Sequence, residues 1–161
     1  MTVLVALLGS CVPAEAAPVR SSNAWLRGLL GRPSVGTAEV LLAAHLMTED
    51  SHWKPDTAWA MERGRSRGWL RRQQVLHPGS PATRGFAAQV FARALGIRGG
   101  VWMRLTGEGA RHSYRELKLL GMLPEGGPGV LLTGDELAGL LAAASRWQEV
   151  GPERPATGAG R

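Results

Sequence analysis

Thr83-Arg84-Gly85-Phe86-Ala87-Ala88-Gln89-Val90-Phe91 opens on a hydroxyl residue and continues as an apolar, helix-forming run. Thr83 is expected to be an N-cap, its hydroxyl accepting one of the backbone amides that a helix leaves free in its first turn. Two other stretches are built the same way: Gly36-Thr37-Ala38-Glu39-Val40-Leu41-Leu42 and Thr133-Gly134-Asp135-Glu136-Leu137-Ala138-Gly139-Leu140-Leu141. Counting from Gly36 to Thr83 to Thr133 gives intervals of 47 and 50 residues. In the third stretch Glu136 stands three residues after Thr133, the spacing of a capping box. Asp135 and Glu136 also suit the positive end of a helix dipole. Gly36 can cap only by its shape. The recurrence of such openings at similar spacing carries more weight than any one of them.

A second element follows each of the first two helices. Asp50-Ser51-His52-Trp53 leads into Ala58-Trp59-Ala60-Met61-Glu62-Arg63-Gly64, and Gly100-Val101-Trp102 leads toward Tyr114-Arg115-Glu116-Leu117-Lys118-Leu119-Leu120-Gly121. Trp53 and Trp102 are 49 residues apart. Gly64 and Gly121 are expected to end these helices. Pro78-Gly79-Ser80-Pro81 and Pro124-Glu125-Gly126-Gly127-Pro128-Gly129 read as the loops before the next capped helix. A further short helix is expected near Ala24–Leu30. The apolar residues are largely Leu and Ala, with few β-branched types, which favours helix over sheet. The sequence therefore predicts an all-α fold in which three degenerate helix–loop–helix repeats pack as one small bundle over residues 25–150, with disordered tails on either side. No unit can bury an apolar face alone, so the units must stack.

The stretch from Asp50-Ser51-His52-Trp53 to Leu95-Gly96 resembles an S-layer homology repeat. In that family an Asp–x–His–Trp opening precedes a helix, a glycine turn, a proline-containing loop and a Thr-Arg-Ala-Glu motif. Here the motif stands as Thr83-Arg84-Gly85-Phe86, which keeps the Thr-Arg pair and lacks the acid. Gly36-Thr37-Ala38-Glu39 and Thr133-Gly134-Asp135-Glu136 keep the acid and lack the arginine. The resemblance runs from about residue 33 to 147. It implies a three-repeat helical bundle that holds its protein to cell-wall polymers without a covalent bond. It further implies that Arg84, next to Thr83, makes a bidentate contact with an acidic group on the glycan, and that Trp53 and Trp102 flank a sugar face. Taken by themselves, the residues also suit another arrangement, with Arg84 paired to a neighbouring carboxylate of the chain and Trp53, Trp59 and Trp102 packed in the core or between repeats.

The N-terminus points the same way. Val3 to Leu8 is an unbroken apolar run, too short for a bilayer span of about 20 residues and followed by Gly9, Ser10 and Cys11. Leu8-Gly9-Ser10-Cys11 resembles the lipobox of bacterial lipoproteins, in which the cysteine is lipidated. Cys11 is the sole cysteine, and an exported chain has little use for an unpaired thiol. No Lys or Arg precedes the run, and Ala14-Glu15-Ala16 offers a rival signal-peptidase site. Residues 1–11 are accordingly read as a signal or lipobox segment, 12–24 as a Pro/Ala/Ser linker, and 151–161 as a disordered tail.

The net charge of +6 is uneven. Between Arg63 and Lys118 twelve basic residues face Glu108 and Glu116 only, an excess of +10, while the remainder is net −4. Such a middle concentrates anions, and Arg63, Arg65, Arg67, Arg71 and Arg72 around Trp69 form its densest part. His45, His52, His77 and His112 have no metal-ligand spacing, and no cofactor is implied. The sequence has no Gly-x-Ser-x-Gly, no phosphate-binding glycine loop and no His-Glu-x-x-His. These features predict a non-catalytic, exported protein of the cell envelope, membrane-anchored through Cys11 and contacting anionic cell-wall polysaccharide, a peptidoglycan-associated polymer or another envelope component. The alternatives are a nucleic-acid binder using residues 63–118, which competes poorly with an export signal, and an envelope enzyme with an unrecognised site.

Overall fold

Three short extended segments meet in the interior of the protein, each donating one backbone hydrogen bond to the next. The Val35 N–H donates to the Leu132 carbonyl (3.0 Å), Leu132 N–H to Ala82 (2.9 Å), and Ala82 N–H back to Val35 (2.8 Å), so the three bonds close a ring. All three residues are buried. Two residues beyond each ring member a helix begins, and the first amide of that helix is satisfied from a neighbouring segment. Thr37 donates to Ser80 (2.9 Å), Arg84 to Val130 (2.9 Å) and Gly134 to Arg32 (3.0 Å). Free amides of a helix start thus find partners without water. Isolated antiparallel bridges at Gly36–Pro81 and Thr83–Leu131 belong to the same arrangement.

The structure is a computed structural model and describes residues 17–48, 53–71, 74, 76–97 and 109–150. Among these residues the fold is all-α. Its six helices are α1 (Ala17–Leu29), α2 (Thr37–Thr48), α3 (Thr57–Ser66), α4 (Arg84–Ala94), α5 (Ala110–Leu119) and α6 (Gly134–Val150). Helix α2 is the central one. Val40 through His45 are buried without a break, as expected of a helix covered on all sides. It packs against α3, α4 and α6, while α4 pairs with α5 and α1 with α6. Phe91, Leu117, Leu132, Leu137 and Leu140 complete a single apolar core with it. Each such side chain contributes about 1.5–3 kcal/mol relative to an exposed one.

The helix starts follow the sequence. The Thr83 hydroxyl accepts from Phe86 N–H at 3.2 Å. Thr133 and Glu136 form a reciprocal capping box, Glu136 N–H to the Thr133 hydroxyl at 3.2 Å and Thr133 N–H to the Glu136 carboxylate at 3.3 Å. Gly36 does more than cap by shape, because its N–H donates to the Glu39 carboxylate at 2.6 Å, half of the same motif.

Three boundaries differ from expectation. Helix α1 begins at Ala17, so much of the stretch read as a linker over 12–24 is helical; Pro18 falls in the first turn, where a missing N–H costs nothing. Helix α3 does not stop at Gly64. It runs to Ser66 with Arg67 as its C-cap, and the left-handed residue is Gly68 (φ 74°). Gly64 serves packing instead, since a Cβ there would lie 2.9 Å from Leu41 Cδ2. Helix α5 begins at Ala110, ahead of Tyr114, and is followed as expected by Gly121 in the left-handed region (φ 69°).

Gly134 permits the closest backbone approach, because a Cβ on it would collide with the Leu29 carbonyl, which cannot rotate away. Gly134→Ala is expected to lower unfolding stability by about 3 kcal/mol or more in urea titrations. Gly139→Ala, in the same helix and facing open space, should raise it by up to about 1 kcal/mol.

Candidate functional site

Arg84 occupies the first turn of α4, where a cation opposes the helix dipole, and the fold compensates with a carboxylate. Its guanidinium grips Glu136 of α6 with both prongs, Nε donating to Oε2 (3.1 Å) and Nη2 to Oε1. The remaining nitrogen, Nη1, donates to the Glu125 backbone carbonyl at 2.9 Å. The side chains are only 13% and 20% exposed. The hydrogen bond that Arg84 donates to Glu136 raises the Arg84 pKa above its ordinary value, against the opposing effect of burial. The loop beyond α5 closes over this pair. Tyr114 donates its hydroxyl hydrogen to Pro124 O at 2.8 Å, Lys118 pairs with the Glu125 carboxylate, and Gly126 (φ 135°) leaves room for Arg84 Nη1. In chemical terms the site is an anion fork that already holds an anion belonging to the chain.

The other expected ligand residues are placed differently. Thr83 is occupied as the α4 cap. Trp53 is a core residue and not a sugar platform: it is 5% exposed, its Nε1 donates to Leu42 O at 2.9 Å, and it meets Trp25 edge-on at 5.5 Å. Its contacts are thus with α1 and α2, whereas Arg84 engages α6 and the loop over 124–127. Trp102 and Cys11 lie outside the described residues.

A second junction is open. A cleft of about 480 Å³ lies between the start of α2 and the 78–81 loop, lined by Arg32, Ser34, Gly36, Glu39, Thr57 and Pro78 among others. Arg32 pairs with Glu39 along its wall and is 48% exposed. Thr37 tethers the floor by donating its hydroxyl hydrogen to His77 O at 2.9 Å. The corresponding approach at Gly85 is tight, with Pro128 O 2.8 Å and Ala110 Cβ 3.3 Å from where a Cβ would be.

His45 has a setting that sequence reasoning missed. It is 0% exposed, with its ring 4.8 Å from that of Trp59 and 4.4 Å from that of Trp69. Nε2 lies 3.3 Å from Ala60 O, which can only accept, so Nε2 carries the proton and Nδ1 the lone pair. Nδ1 has no hydrogen-bond partner. Burial pushes the His45 pKa down to about 4, and Arg67 and Arg63 reinforce the shift. The signal was present in the sequence as one polar residue inside Val40-Leu41-Leu42-Ala43-Ala44-His45-Leu46-Met47, with Trp59 and Trp69 close behind.

Among the described residues no three His, Cys, Asp or Glu side chains converge as a metal site, and no helix is long and apolar enough to cross a membrane. The chain matches no known protein-family model, and no curated protein or solved structure shows significant similarity to it.

Removing either member of the Arg84–Glu136 pair leaves the other poorly solvated and uncompensated. Arg84→Ala and Glu136→Ala are each expected to cost about 2–3 kcal/mol. The double variant should cost less than their sum, with a coupling of about 1–2 kcal/mol measured by a urea double-mutant cycle.

Proposed function

We propose that this protein is a non-catalytic module of the cell envelope, built on S-layer-homology-like repeats and attached through its open junction to anionic cell-wall glycan. The supporting observation is the ring joining Val35, Ala82 and Leu132. On this reading each ring member opens one repeat, and the helix pairs α2–α3, α4–α5 and α6–α1 are the three units. The ring spacing agrees with the degenerate motifs at Gly36, Thr83 and Thr133. The three junctions between units are then potential binding clefts of related geometry.

The junctions differ in what fills them. A glycan carboxylate reaches Arg84 only by displacing Glu136, an exchange of one carboxylate for another with little net gain. The junction at Arg32 offers a half-exposed guanidinium, the hydroxyls of Ser34 and Thr57, and a cleft of sugar size. Arg32 is therefore assigned the acidic group of the polymer, and Arg84 the role of a clamp between α4 and α6. Cys11 is assigned the membrane anchor on the strength of the lipobox-like sequence.

Retention on purified cell-wall sacculi tests this reading. Arg32→Ala should lower retention of the domain at least tenfold, while Arg84→Gln should act mainly by lowering stability. Equal, salt-labile retention of both variants and the parent would remove the specific site, because bare polyelectrolyte attraction depends on salt and not on one arginine. Palmitate labelling that is blocked by globomycin and lost in Cys11→Ser is the expected outcome for the anchor.

A second reading, binding of a nucleic acid, is favoured by one observation. Arg63, Arg65, Arg67 and Arg71 are all exposed along α3 and the turn after it. A tagged full-length chain that stays in the cytoplasm would favour this reading over wall attachment.

A further inference from the structure

Helix α3 lies at the periphery of the bundle, docked chiefly on α2. Its apolar contribution is small, with Ala60, Met61 and Gly64 buried and Trp59 half-buried. At the centre of that contact stands His45, enclosed by Trp59 from α3 and by Trp69 from the turn that follows. One ring nitrogen is satisfied by the α3 backbone at Ala60, and the other has nothing to bond. We propose that His45 is an acid-sensitive latch: neutral, it seals α3 and the Trp69 turn against α2, and its protonation releases α3 from the bundle.

The geometry supplies the reason. A proton on Nδ1 would create a donor with no acceptor and a charge between two indoles in a site closed to water, both of which are costly. Aromatic faces attract cations, but two rings tilted against the imidazole do not replace its hydration. Among the described residues the charged groups around the site do not help. Arg63 of α3 and Arg67 of the turn both act against a second positive charge. Glu62 of α3 is exposed. From α4, Arg93 reaches the carbonyls of Gly68 and Trp69, bringing another cation. The first-turn acids of α6 are engaged elsewhere, Asp135 on Gly31 N–H and Glu136 on Arg84. Undocking α3 relieves every one of these costs by giving the imidazolium to water.

The direction with pH follows. The box favours neutral imidazole, so its contribution is complete above the ordinary pKa of 6.5 and declines as pH falls toward about 4. Below about 4 both states bind the proton and the contribution no longer changes.

Hydrogen exchange of the full chain, read by mass spectrometry at about pH 7, 5 and 4 and corrected for intrinsic rates, tests the latch. The opening constant of residues 57–66 should rise about 100-fold between pH 7 and pH 4, while 84–94 and 134–150 stay protected. In His45→Phe and His45→Gln, which cannot take up the proton, this rise should be absent. Loss of protection in all helices together would overturn the latch, since acid would then unfold the bundle as a whole. A flat response over 57–66 in the parent, or an unchanged response in either variant, would also overturn it. The parent alone decides the matter should both variants fail to fold.

Discussion

The closed ring of backbone bonds through Val35, Ala82 and Leu132 sets the terms for the rest of the fold. An extended segment carries unpaired donors and acceptors on its edges, and burying it requires a partner for each. Two such segments would leave edges open, whereas three arranged head to tail close on themselves. The solution leaves little room: Ala82 is among the ring members, and Gly85 and Gly134 sit where the next backbone comes too near for a side chain. Because each ring member is followed two residues later by a helix, the ring also fixes where α2, α4 and α6 start and how they diverge. Small residues and caps at these points are therefore demanded by topology, before any question of ligand arises.

That demand bears on how the polar residues near the helix starts are interpreted. Glu39 and Glu136 are first of all helix-start groups, each accepting a backbone amide near its own helix entry. Each then takes an arginine, Arg32 within the same stretch and Arg84 from α4. The same chemistry that makes a junction attractive to an acidic ligand is thus used to hold the junction together. The difference between the two lies in burial. The Arg84 pair is covered by the 124–127 loop and has a structural task, while the Arg32 pair lines an open cleft and can be exchanged at small cost.

Much of the architecture was legible because it rests on local rules. Thr83 and the Thr133–Glu136 box announce their helices through short-range hydrogen bonds that need no tertiary information. The apolar run from Val40 announces a helix through its composition, and the structure adds that this helix is covered on all sides. What escaped the sequence depends on neighbours distant in the chain. Gly64 resembles a helix stop, but Leu41 of α2 requires the absence of a side chain there, and the helix continues to Ser66. Trp53 suits both a ligand platform and a core position in the sequence, and the choice falls to Leu42 and Trp25, which engage its N–H and its ring. That Arg84 pairs with a carboxylate is legible from its place in a first helical turn, but the identity of the partner is not, since nothing in the sequence joins position 84 to position 136. Helix α1 extends through a stretch whose Pro, Ala and Ser content reads as linker, and the C-terminal part of that helix packs on α6.

The two ends of α2 are held by different kinds of force, and this divides the molecule. At its start, the ring and the carbonyls of Pro78 and Ser80 fix the backbone through bonds that have no charge to titrate. Toward its end, the contact with α3 depends on an imidazole staying neutral between Trp59 and Trp69. Protonation of His45 therefore acts on one end and does not touch the backbone bonds that fix the other. The open cleft beside Arg32 belongs to the fixed end, although Thr57, the first residue of α3, lines its rim. Movement of α3 would thus remove one wall of the cleft without disturbing the ring that supports its floor. Binding there and docking of α3 draw on the same residue, so a ligand that contacts Thr57 stabilises the docked helix and resists its release.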